Sequence, residues 1–271
     1  MSILQAFILG LVQGLTEFLP VSSSGHLVLV PWWLNWESPG LAFDALLHWG
    51  TLLAVVIYFW RDWWEMLMAL VRKVQGKPTE GKDHLLLAIL VGTIPAALLG
   101  FLLEDFFESL FGQPATVAVF MIITGFLLIF AEWWTKSHKQ GRPMEKLGYL
   151  DAIFVGIGQA LAIAPGISRS GSTISAGLVR GLDRPTAARF SFLLGTPIIF
   201  GAGLLKMKDL VEMGTGSMGM TPLVVGFLTA FISGFLAIRY LLRYLQNHTL
   251  NIFAYYVWAV AAISLARYFL M

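Results

Sequence analysis

Gly10-Leu-Val-Gln13-Gly-Leu-Thr-Glu17-Phe-Leu-Pro20-Val-Ser22-Ser23-Ser24-Gly25-His26 and Gly156-Ile-Gly-Gln159-Ala-Leu-Ala-Ile-Ala-Pro165-Gly-Ile-Ser168-Arg169-Ser170-Gly171 read as one motif written twice. At a constant offset of 146, Gly10 meets Gly156, Gln13 meets Gln159, Ser22 meets Ser168, Ser24 meets Ser170 and Gly25 meets Gly171. In each copy an apolar run breaks into Pro, then Ser and Gly. A helix should stop there and leave backbone N–H groups in a hydroxyl-lined turn. Copy one adds Glu17 and His26, and copy two adds Arg169. A carboxylate, an imidazole and a guanidinium suit phosphate chemistry, which predicts that the two turns meet in one site.

The rest of the chain gives this pair of turns an apolar setting. With 57% hydrophobic and 13% charged residues, the sequence reads as an all-α, polytopic integral membrane protein rather than a soluble domain. No charged leader with a cleavage site precedes the first apolar run, so no removable signal peptide is expected. The absence of cysteine excludes disulfides and thiolate metal sites. A formal charge of +2 gives no reason to expect nucleic acid as a partner.

A membrane span needs about 20 apolar residues to cross roughly 30 Å of hydrocarbon. Residues 4 to 19 reach only about 24 Å before Pro20, and residues 27 to 34 are shorter still. Residues 4 to 34 therefore read as a re-entrant helix-turn-helix, and the second motif, from Leu150 through its break at Pro165, as another. Six full spans are expected at about 41–60, 84–103, 115–134, 190–205, 221–243 and 252–270, with Gly214 to Gly219 as a turn. Lys and Arg concentrate in loops 61–83, 135–148, 180–189 and 239–250, which places these inside. The two re-entrant segments then enter from opposite sides. That is an inverted-topology repeat, with a first unit over about 1–134, a second over about 149–271, and a site near the midplane.

Within the motifs, Gln13 and Glu17 share a helix face, and a carboxylate inside an apolar helix usually faces a polar cavity. Glu17 can ligate a divalent cation or act as a general base. His26 is a candidate nucleophile, general acid or general base, set against the plainer role of a hydrogen-bonded packing residue. Ser22 and its neighbours can cap a helix, which also makes an anion site, and Ser23 is the choice among them to attack phosphorus or hold a phosphate oxygen. Arg169, flanked by Ser168, Ser170 and Thr173, fits a bidentate grip on phosphate; the competing reading is a structural ion pair with Glu17. Asp44 and His48 lie four apart and share a face, but core packing explains them as well. The many tryptophans at span ends read as an interfacial belt.

The run from Gln13 to His26, together with Pro165-Gly-Ile-Ser-Arg169-Ser-Gly-Ser-Thr173, closely resembles the two signature motifs of the bacterial undecaprenyl-diphosphate phosphatase family, the bacitracin-resistance BacA proteins. The resemblance covers the whole chain. It implies hydrolysis of undecaprenyl diphosphate to undecaprenyl phosphate and phosphate with help from Mg²⁺ or Ca²⁺, recycling of the lipid carrier for cell-wall synthesis, and bacitracin resistance. It further implies a multi-pass protein of the bacterial cytoplasmic membrane with its site open to the outer side. By matching position, Glu17, Ser23, His26 and Arg169 take the catalytic places, with Glu17 also at the metal. Gln13, Ser22, Ser168, Ser170 and Thr173 take substrate-binding places. Gln13 stands where some members carry Glu, which weakens any mechanism needing two carboxylates; His48 stands where Gln is expected and is left out of the site. The layout is shared with secondary transporters, so a flippase is the rival reading, and a homodimer is left open.

Overall fold

Apolar helices dominate the computed structural model, which describes residues 1–79, 82–110, 112–138, 141–213 and 219–270. In chain order they are α1 (Ile3–Phe18), α2 (Ser23–Trp33), α3 (Leu41–Tyr58), α4 (Trp60–Val74), α5 (Lys82–Leu102), α6 (Glu104–Leu110), α7 (Pro114–Ser137), α8 (Tyr149–Leu161), α9 (Arg169–Val179), α10 (Arg184–Met213), α11 (Met220–Tyr244) and α12 (Asn251–Leu270). Among the described residues there is no β-strand, only an isolated bridge between Arg142 and Leu182. Of the expected glycine-rich turn, residues 214–218 lie outside the described residues.

Among the described residues five helices are long and apolar enough to span: α5, α7, the Arg184–Leu204 part of α10, α11 and α12. The sixth expected span is α3, which joins α4 through a bend of 70°. The protein is thus a multi-pass membrane protein. The apolar helices α1 and α8 have 16 and 13 residues, or about 24 and 20 Å, too short to cross alone. Residues 61–83, expected as a polar loop, instead wind mostly into α4, and the acidic stretch after α5 forms the short helix α6. Along α4 the exposed Arg61, Arg72 and Lys73 mark water contact, which a surface helix satisfies as well as a loop.

The repeated motif folds alike in its two copies. Helix α1 packs on α11 while α8 packs on α5, so each broken helix lies against a long span of the other half of the chain. The motif's first glycine is needed at both crossings. A Cβ on Gly10 would stand 2.5 Å from the Gly226 carbonyl oxygen, and one on Gly156 would stand 2.1 Å from that of Gly92. Such small-residue contacts let helix backbones approach where lipid offers no hydrophobic drive for association.

The four Lys- and Arg-rich segments gather on one face. Asp151 takes Arg142 at 2.7 Å and Arg180 at 2.5 Å. Buried Glu132 holds Arg184 through both carboxylate oxygens and accepts the Leu250 N–H at 2.8 Å. Arg189 pairs with Asp62, and His84 reaches the Leu147 carbonyl at 3.0 Å. At another point on the molecule, Arg267 near the end of α12 donates to the Trp33 carbonyl at the end of α2.

Candidate active site

The two breaks form the same cap. Ser22 Oγ accepts the Gly25 N–H at 3.2 Å, and Ser168 Oγ accepts the Gly171 N–H at 3.0 Å. Ser22 and Ser24 hydroxyls lie 3.4 Å apart, and Ser168 and Ser170 hydroxyls 3.2 Å apart. These are the residues matched by the offset of 146, so sequence identity has become the same cap hydrogen bonds, although the backbones differ, with φ 70° at Ser22 and −70° at Ser168. Ser22 sits at φ 70°, a conformation that costs a non-glycine residue energy and marks a turn held by its surroundings. The helix N-termini of α2 and α9 begin at these caps and carry the partial positive charge that favours anions.

The turns then touch. Ser170 Oγ donates to the Leu19 carbonyl at 3.0 Å, crossing from one copy to the other. Gly166, at φ 104°, leaves no room for a side chain: a Cβ there would lie 2.3 Å from the Val117 carbonyl oxygen of α7. Thr124 of α7 pins this turn by donating to the Gly166 carbonyl at 3.0 Å and accepting the Ser168 N–H at 2.9 Å.

Glu17 is the hub. Its Oε1 meets Arg169 Nη2 at 2.6 Å, and its Oε2 accepts from Ser23 Oγ at 2.6 Å and from Gln13 Nε2 at 3.1 Å. Arg169 Nη1 donates to the Ser191 carbonyl at 3.2 Å, and its guanidinium lies so close to Gly195 of α10 that a Cβ there would come within 2.0 Å of Nη1. Thr173 shares a 2.6 Å hydroxyl contact with Ser191 and so ties α9 to α10 beside this anchor. Glu17, Gln13 and Ser23 are buried, yet the Arg169 side chain keeps 13% of its surface open. The ion pair weighed from sequence therefore forms, and it joins the two copies. A guanidinium has five N–H donors, so the pair leaves others for a ligand.

His26 lies close by in sequence but turns elsewhere. Its Nδ1 is 2.7 Å from the Ser22 carbonyl oxygen, which can only accept, so Nδ1 carries a proton. Its Nε2 is 2.9 Å from the Tyr256 hydroxyl of α12, which in the neutral ring donates to it. Both ring nitrogens are engaged, and the imidazole steadies the Ser22 turn that presents Ser23.

Among the described residues no three His, Asp or Glu side chains cluster as a metal cage. What the site does offer is one carboxylate, Glu17, and the amide oxygen of Gln13, buried and without a hydrogen-bond partner. That donor set suits a hard cation that arrives largely ligated by substrate phosphates. The second copy offers nothing comparable. Ile163 stands where Glu17 stands in the first, and the amide of buried Gln159 has no partner. There is one hub, not two.

The model of the family described as bacitracin resistance protein BacA matches residues 6–263. The chain belongs to the BacA family. It is 45% identical to the undecaprenyl-diphosphatase of Moorella thermoacetica over 271 residues, covering 100% of this chain and 99% of that one. It is 47% identical to the undecaprenyl-diphosphatase of Carboxydothermus hydrogenoformans over 261 residues, covering 95% and 94%. The undecaprenyl-diphosphatase of Halothermothrix orenii is 45% identical, with 96% of each chain covered.

Besides Ser191 and Gly195, His48 and Tyr256 of this BacA chain were not assigned to the site from sequence. His48 brings Nε2 to 3.6 Å from Glu17 Oε2 while its Nδ1 is tied to the Asp44 carbonyl at 2.7 Å. The four-residue spacing of Asp44 and His48 was the available signal. Tyr256 had none, being 230 residues from His26 along the chain. Tyr256→Phe removes one hydrogen bond worth about 1 kcal/mol net, so kcat should fall about fivefold with little change in melting temperature. An unchanged kcat would mean that His26 is held without it.

Proposed function

We propose that the chain hydrolyses undecaprenyl diphosphate to undecaprenyl phosphate and phosphate, recycling the lipid carrier for cell-wall synthesis and conferring bacitracin resistance. The observation that carries this reading is the Ser23 hydroxyl donating to Glu17 at 2.6 Å beside the Arg169 guanidinium. A hydroxyl paired with a base and a nearby fixed cation is the arrangement a phosphoryl-transfer site needs.

In this mechanism Arg169 and the backbone N–H groups at the starts of α2 and α9 grip the diphosphate, with Ser22, Ser168, Ser170 and Thr173 shaping the two turns around it. Ser23 Oγ attacks the terminal phosphorus, its proton passes to Glu17 and from there to the bridging oxygen, with which undecaprenyl phosphate leaves, so that Glu17 is a carboxylate again. Water, activated by the same carboxylate, then cleaves the phosphoserine to release phosphate. Ser23 is preferred to His26 as nucleophile because both imidazole nitrogens are already engaged. A Mg²⁺ or Ca²⁺ ion held by Glu17 and Gln13 would neutralise charge on the diphosphate. The polyprenyl tail lies among the lipid-facing helices. The face bearing the gathered Lys and Arg segments is cytoplasmic, and the site of this inner-membrane protein opens on the other side.

The test is phosphate release from undecaprenyl diphosphate by detergent-purified protein with and without EDTA. Release that EDTA abolishes and added Mg²⁺ or Ca²⁺ restores is expected. A folded protein that moves the substrate across liposomes without releasing phosphate would sink the phosphatase reading and leave the transporter one.

A further inference from the structure

Helix α4 presents three faces. Met66 and Ala69 are buried, and α4 packs against α5. Trp60, Trp64, Leu67, Val71 and Val74 are all exposed, at successive spacings of 4, 3, 4 and 3, which places them in one stripe along the helix. Between these faces lie Arg61, Glu65, Met68 and Arg72. After the 70° bend from α3, the helix cannot continue α3's path through the hydrocarbon. A helix with a tryptophan-led apolar stripe and cations beside it, lying across the direction of its neighbouring span, has the makeup of one embedded along a bilayer surface.

The cations are available for ligands. Arg61 stacks over Trp60 at 5.4 Å and, like Arg72, makes no salt bridge among the described residues. Arg72, Trp64 and Met68 line a cavity of about 280 Å³ at the foot of α5, with the Lys82 and Glu65 pair also in its wall. At roughly 30 Å³ per water in the liquid, that is room for a phosphate group and the start of a glycerol. The apolar wall of this cavity is made by Met68, Ala69 and Trp64, and through Trp64 it adjoins the stripe.

We propose that α4 is a docking surface for anionic phospholipid: the stripe seats in the acyl region of the leaflet that the basic segments face, while Arg61 and Arg72 hold the phosphodiester headgroups, Arg72 at the cavity. Charge complementarity selects the anionic lipid over a zwitterionic one, and the apolar stripe selects a lipid over free phosphate.

The chain has no cysteine, so a single spin label is easily placed. Leu67→Cys carrying the label, in vesicles of phosphatidylglycerol and phosphatidylcholine, should collide more with oxygen than with a water-soluble nickel chelate. The reverse would put the stripe in water, free for a protein partner, and overturn the proposal. Native mass spectrometry of wild-type protein with the two lipids of matched chains should show at least about fivefold preference for phosphatidylglycerol. Inorganic phosphate at equal concentration should not displace it. The Arg61→Gln/Arg72→Gln variant, with an unchanged melting temperature, should bind the two lipids equally; a retained preference, or none in wild type, refutes the role of the cations.

Discussion

Ser23→Ala should lower phosphate release from undecaprenyl diphosphate by about 1,000-fold or more, in kcat rather than KM, because in the proposed mechanism it removes the attacking atom and leaves the grip on the substrate in place. The fold should tolerate the change. Ser23 does not cap α2, which is the work of Ser22, and Glu17 keeps its contacts to Arg169 and Gln13. A melting temperature within a few degrees of wild type is expected. Ser22→Ala gives the opposite signature: loss of an N-cap costs about 1 kcal/mol of stability, with a smaller fall in rate. Acid quenching during turnover of substrate labelled at the terminal phosphorus should leave label on Ser23. If Ser23→Ala retains rates within tenfold of wild type and no label is trapped, water is the nucleophile and Ser23 only orients it.

How far the sequence foretells this site depends on how far apart the partners are. The caps at Ser22 and Ser168 were legible because a helix stop is a local matter of Pro, Ser and Gly, and because the motif occurs twice. The meeting of the turns was expected from the motif's being written twice, whereas the contact between Glu17 and Arg169, 152 residues apart, was weighed only as the competing reading of Arg169. Tyr256, Ser191 and Gly195 were not legible, since nothing local marks the point on a long apolar helix that faces a turn in another part of the chain. His48 shows a half-visible case. Its spacing from Asp44 put it on a face, but only packing of α3 against α1 decided that this face looks at Glu17. Helix α4 was hidden for another reason: its charges mask the 4-3-4-3 stripe when hydropathy is averaged along the chain, and the stripe emerges only when residues are placed around a helix.

The pairing of Glu17 with Arg169 separates stability from catalysis. Arg169→Met removes the guanidinium and leaves a buried carboxylate facing only Gln13, Ser23 and, at 3.6 Å, His48. Breaking one side of a buried pair costs about 3–5 kcal/mol, mostly as the penalty of the charge left behind. For a chain of this size that is a fall in melting temperature on the order of 10 °C. Adding Glu17→Gln removes the stranded charge while keeping a side chain of the same shape beside Ser23. The double variant should therefore melt well above Arg169→Met, recovering most of the loss. Activity should not follow. Both variants lack the cation proposed to grip the diphosphate, and the double variant also lacks the proposed base, so each should fall about 1,000-fold or more below wild type. Thermal melting in detergent beside phosphate release reads the two quantities on the same samples. A double variant no more stable than Arg169→Met would show that the pair is not the tie between the two copies. Recovered activity in it would move the reaction away from Glu17.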